Sequence, residues 1–137
     1  MQIFPLNPDG TLNRQEVLDR AVAGLVAQGG PAFDPEMPGC RYLDVKANRR
    51  CAIGQFIPAE LEGEVVEEVA VSELLRDYLR VDCPSEKDMR FLEELQNTHD
   101  SVAEQSDSDE EFFLELKNRL EVENKTWGLV LPEIQTQ

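Results

Sequence analysis

The chain has one histidine, one tryptophan and three cysteines in 137 residues, and only 13 Lys and Arg stand against 28 Asp and Glu. Each scarcity narrows the chemistry. With so few basic side chains the formal net charge is −15, and a surface of that sign repels phosphate backbones, which argues against direct nucleic-acid binding. Arg49 and Arg50 are the only adjacent basic pair, so no basic patch is written into the sequence. An odd number of cysteines without CxxC spacing excludes a closed disulfide framework and suits a reducing compartment. No apolar stretch approaches the roughly 20 residues needed to cross a bilayer. Met1 to Gly10 lacks the basic start and apolar run of a secretory leader, and a cytoplasmic location is the expectation. Phosphate-cradling glycine motifs are also missing, since Gly29-Gly30 runs into Pro31 and neither GxxxxGK[ST] nor GxGxxG occurs.

What is present describes a globular chain. Hydrophobic residues make up 41% and charged residues 30%, near the average for folded domains. The length suits one core that buries about two thirds of the unfolded surface. The expectation is one acidic globular domain over 1–137, its ends partly extended or frayed.

Local patterns predict an α+β fold, predominantly helical, with four to five helices around one core and a two-stranded β-hairpin at about 40–54. Asn13 and Glu16 form a capping pair ahead of Val17, Leu18, Ala21, Val22, Leu25 and Val26, an apolar set at helical spacing. Gly29-Gly30 and the prolines at 31, 35 and 38 end that helix. Cys40 to Asp44 and Arg50 to Gly54 read as hairpin arms, with Asn48 able to adopt positive φ at the turn. A turn centred near Ala47 sets Cys51 opposite Leu43. Pro58 suits the start of a short helix at Ala59 to Glu62. Ser72 is the expected cap for Leu74, Leu75, Tyr78 and Leu79, and Ser85 for a long helix carrying Met89, Leu92, Leu95, Gln96, His99 and Val102 on one stripe. Carboxylates in Ser106 to Glu111 suit the positive end of a last helix that turns Phe112, Phe113, Leu116 and Leu120 inward. Trp127, Leu129 and Leu131 dock the tail, and Glu133 to Gln137 fray.

Four segments together carry a resemblance: Val26-Ala-Gln-Gly29, Cys40-Arg-Tyr42, Cys51-Ala-Ile-Gly54 with Phe56-Ile-Pro58, and Phe91 to Asp100 with its Leu-Gln-Asn-Thr-His-Asp ending. On these residues the chain resembles a group of small uncharacterised proteins of bacteria, phages and prophages. Relatives of that group commonly carry glycine in the hairpin turn, whereas Val45 to Arg50 has none. The group transfers no activity. It implies a context, that of a phage or prophage accessory protein acting on host machinery, which is analogy only.

Chemistry-bearing residues are sparse. Cys40, Cys51, Cys83 and His99 are all at least 11 residues apart, without the paired spacing by which zinc sites announce themselves. No metal or cofactor is expected. For a thiol enzyme, Cys51 with His99 is the best available pair, and Cys40, Cys51 and His99 together make up the alternative reading of a thiol-dependent enzyme or metal-binding module. Asp100 follows His99 directly, and successive helical residues point about 100° apart, so Asp100 is not expected to orient the imidazole.

Carboxylates are the dominant feature. Glu60, Glu62, Glu64, Glu67, Glu68 and Glu73 form one cluster; Glu93, Glu94, Asp100, Glu104, Asp107, Asp109, Glu110 and Glu111 form another. Gathered on one face, they would imitate a nucleic-acid backbone and occupy a basic groove. The leading expectation is therefore a non-enzymatic acidic protein, an inhibitor or modulator that engages the basic surface of a host nucleic-acid-binding complex. The residues expected to make contact are Glu60, Glu62, Glu64, Glu67, Glu68, Glu93, Glu94, Asp107, Asp109, Glu110 and Glu111.

Overall fold

Asn13 opens the first helix as expected: its side chain accepts the Glu16 amide, and α1 runs over Arg14–Gln28. Val17, Leu18, Ala21, Val22 and Leu25 are its buried face. Gly29 stops it with φ 89°, a left-handed conformation that glycine adopts without Cβ strain. The structure, a computed structural model, describes residues 1–33 and 40–134. Pro35 and Pro38, expected to keep the helix from resuming, lie outside the described residues, as do Gly39 and the last three residues.

The fold is α+β and predominantly helical. After α1 come β1 (Leu43–Asp44) and β2 (Arg49–Arg50), then 3-10 turns at Ile53–Phe56 and Ala59–Glu64. A short helix, α2 (Val71–Glu73), continues as a π turn through Leu74–Tyr78. The long helices α3 (Glu86–Gln105) and α4 (Asp109–Trp127) close the bundle. Ser85 caps α3 through the Asp88 amide, and Ser108 caps α4 through the Glu111 amide, with Asp109, Glu110 and Glu111 in its first turn. These acids sit where the unpaired N–H groups of the helix favour negative charge.

One apolar cluster runs through every helix and includes Phe4, Leu18, Ile53, Leu75, Leu92, Phe112 and Leu116. Helices α3 and α4 pack along each other, and α1 crosses onto both α3 and the Ile53–Phe56 turn. The N-terminal lead is held by Phe4, whose ring lies 5.2 Å from Phe56.

Four expectations need correction. The hairpin is shorter than 40–54: Leu43 pairs with Arg50 and Asp44 with Arg49 around a four-residue loop, Val45 to Asn48. Cys51 therefore lies beyond Leu43, its amide donating to the Tyr42 carbonyl, and Ile53-Gly54 belongs to a 3-10 turn. The cause is local. Asp44 accepts the Ala47 amide, and Asn48 takes φ 54°, as its residue type permits, so the loop closes without glycine. Cys40 bridges back to Phe33 outside the hairpin.

Second, α2 starts at Val71, with Ala70 extended before it and Ser72 inside the helix. Burial of Val71, Leu74 and Leu75 fixes where the turn begins, overriding the capping preference of serine. Third, the short helix expected after Pro58 is present but is 3-10 and runs on to Glu64, past the expected Glu62. Fourth, the tail past Glu133 is not frayed throughout. Gln15 holds Val130 through two hydrogen bonds, and Ile134 is buried in the core.

Candidate functional site

Two features of the fold carry functional groups: a thiol–imidazole–carboxylate cluster on α3, and the acidic rim around the hairpin.

The apolar stripe of α3 is interrupted by Gln96 and His99, both buried. The His99 ring meets Phe112 of α4 edge-on, with centroids 5.6 Å apart. Its Nδ1 lies 2.9 Å from Asp100 Oδ1. Contrary to the expectation from helical angles, Asp100 does orient the imidazole. Nδ1 is the ring nitrogen nearer the backbone, and the next residue's carboxylate reaches it even though the two Cβ vectors diverge. Gln96 completes the set, donating from Nε2 to the same Asp100 oxygen at 2.8 Å while its Oε1 accepts the Ile53 amide at 3.0 Å. A carboxylate only accepts, so the shared bond places a proton on Nδ1. Nε2 of His99 is then a fully buried nitrogen with no hydrogen-bond partner among the described residues.

Cys40 arrives from the other side of this cluster. Its Sγ lies 3.8 Å from the Asp100 backbone oxygen. The Cys40 sulfur, one ring nitrogen of His99 and one carboxylate oxygen of Asp100 all fall within 4.8 Å of one another. The thiol that meets the imidazole is thus Cys40, while Cys51 stands outside that group of three. Cys51 is fully buried, its sulfur accepting the Gly54 amide at 3.3 Å. Gly54 itself has no room for a side chain, because a Cβ there would collide with the Tyr42 carbonyl oxygen.

Neither thiol is set up as a nucleophile. Burial, then the Asp100 carboxylate, pushes the Cys40 thiol far above the ordinary range. Burial likewise pushes Cys51 far up, only partly offset by the Gly54 amide. A catalytic cysteine needs the opposite environment, one that favours thiolate. Without a metal, the cluster holds one neutral thiol, Cys40, beside an oriented imidazole.

The expected contact residues divide into two kinds. Glu67 reaches into the fold and accepts the Tyr42 and Leu43 amides. Glu94 accepts the Trp127 indole N–H at 2.6 Å, and Glu111 accepts the Asp107 amide at 3.2 Å. Glu62 pairs with Arg50, and Asp109 takes both terminal nitrogens of Arg49 at 3.2 Å. Glu93 is half-buried and lines a cavity with Arg90 and Cys83. Glu60, Glu64, Glu68, Asp107 and Glu110 are exposed, and their side chains accept no hydrogen bond among the described residues.

Because Arg49 and Arg50 are neighbours on β2, the 59–64 turn and the N-terminal end of α4 are each tied to one short strand. Two acidic segments 47 residues apart in sequence, at Glu62 and Asp109, thereby flank the hairpin whose tip exposes Val45. The sequence reading did not foresee this tie, nor the partnership of Gln96 with Asp100. A signal for the second existed, since residues four apart on a helix share a face.

No protein-family model, curated protein or solved structure matches the chain.

Proposed function

We propose that this chain is a non-enzymatic acidic binding protein that engages a basic protein surface through the carboxylates flanking its hairpin. The observation that supports this most is the double tie of β2, Arg49 to Asp109 and Arg50 to Glu62, which gathers two acidic segments around one projecting loop. Glu60, Glu64, Glu68, Asp107 and Glu110 add uncompensated charge to that surface, and their mutual repulsion falls when a cationic surface approaches. Glu67, Glu94 and Glu111 have internal partners and contribute to the fold first. None of the described helices is long and apolar enough to cross a membrane, and three free cysteines fit a reducing cytoplasm. The resemblance to phage and prophage proteins supports a modulator of a host nucleic-acid-binding complex, its carboxylates standing in for phosphates.

Affinity capture from a bacterial lysate tests this reading, using the full chain beside a variant with Glu60, Glu64, Glu68 and Glu110 changed to Gln and Asp107 to Asn. A basic protein retained by the native chain, released by moderate salt and lost with the variant is the expected result. Retention unchanged by neutralisation, with the variant still folded, overturns it.

A further inference from the structure

We propose that Cys40, His99 and Asp100 form a binding site for a divalent metal ion of borderline softness, zinc being the best fit. Three observations converge. The donor set, one sulfur, one imidazole nitrogen and one carboxylate oxygen, is the mixture that zinc accepts and that magnesium or calcium does not favour. The three donor atoms already lie within 4.8 Å of one another. Tetrahedral zinc at its usual bond lengths sets donors about 3.5 Å apart, so closure needs roughly 1 Å of side-chain movement.

The third observation is the imidazole itself. His99 is fully buried and turns Nδ1 toward the carboxylate, 2.9 Å from Asp100 Oδ1, so a ring nitrogen is already held in the donor group. A metal bound at Nδ1 takes the place of the proton that this nitrogen shares with Asp100. Gln96, bonded to both the Ile53 amide and Asp100, braces the carboxylate from outside the donor set, the part that supporting residues play around bound metals. Half-buried Cys40 and Asp100 leave a route from solvent to the buried nitrogen.

On binding, Cys40 gives up its thiol proton to solvent, the neutral imidazole carries its proton on Nε2, and the sulfur and Nδ1 form bonds to the ion; no electron is transferred. Three protein ligands and one water make a four-coordinate site. The ion would join the segment at Cys40 to the middle of α3, positions 59 residues apart in sequence at His99. Lone separations of that size are why spacing alone gave no warning of the site.

The test uses the full, untagged chain, stripped with chelator under reducing conditions and titrated with cobalt(II), then with zinc(II). One equivalent of cobalt should raise a sulfur-to-cobalt charge-transfer band, which zinc then abolishes. Cys40→Ser should lose the band, His99→Ala and Asp100→Asn should weaken binding, and Cys83→Ser should leave it unchanged. Because His99→Ala opens the core, native protein supplies a second readout. Zinc should protect Cys40 from alkylation while leaving Cys83 reactive. Absence of a band in the native chain, a band that survives in Cys40→Ser, or alkylation of Cys40 unaffected by zinc overturns the proposal.

Discussion

Helix α3 buries polar groups at two levels, and they are treated in opposite ways. Near its start, Asp88 is buried but fully answered: one oxygen accepts Arg14 Nε at 2.7 Å and the other accepts the Leu12 amide at 3.3 Å. The Arg14 guanidinium lies 4.8 Å from the centre of the Trp127 ring, whose indole N–H goes to Glu94 and whose edge meets Phe91 at 5.4 Å. This group locks the start of α1, the middle of α3 and the end of α4 together. Three turns further along, Gln96, His99 and Asp100 share bonds less completely, and a ring nitrogen is left over. Complete pairing is what a purely structural cluster needs. Gln96, His99 and Asp100 fall short of it.

Substitutions in chelator-treated protein can break or sharpen that contrast. Asp88→Ala should cost most, about 3 kcal/mol in urea unfolding, because it strands a partly buried guanidinium and a backbone amide. Gln96→Leu comes next, at about 2 kcal/mol, since the Ile53 amide loses its acceptor inside the core. His99→Leu should cost about 1 kcal/mol or less, because an unsatisfied polar atom leaves together with the ring. Equal losses for Asp88→Ala and His99→Leu would erase the distinction.

The smallest effect is alkaline. Cys51 has its thiol pushed up by burial from an ordinary value of 9.0. Its stabilising contribution is therefore intact below about pH 9 and falls as pH rises, because the unfolded chain releases the proton while the folded chain retains it. At pH 9 the loss from Cys51 is on the order of 0.4 kcal/mol, and Cys51→Ala should flatten this part of the pH–stability curve measured by urea unfolding.

Much of the helical framework was legible in the sequence because it depends on nearest neighbours. Asn13 and Ser85 act on amides three residues on, and the stripes of α1 and α3 repeat with the helix period. Where a distant partner decides, reading along the chain fails. The start of α2 is set by the burial of Val71 against the core, and the hairpin's extent by the Asp44–Ala47 bond in its loop. Candidate chemistry divides in the same way. His99 is conspicuous as the only imidazole, but its thiol neighbour could not be chosen between Cys40 and Cys51 before the chain folded back. Carboxylate abundance was plain, whereas which acids hold the fold depends on contacts such as Glu67 with the hairpin amides.

The buried Ile134 has a bearing on how this chain comes to be folded during synthesis. The core that Phe4 enters also receives Ile134, so the interior of a nascent chain stays incomplete until Ile134 has left the ribosome. Helices α1 and α3 can dock early, but a patch of apolar surface stays open until the segment after α4 swings back over Gln15.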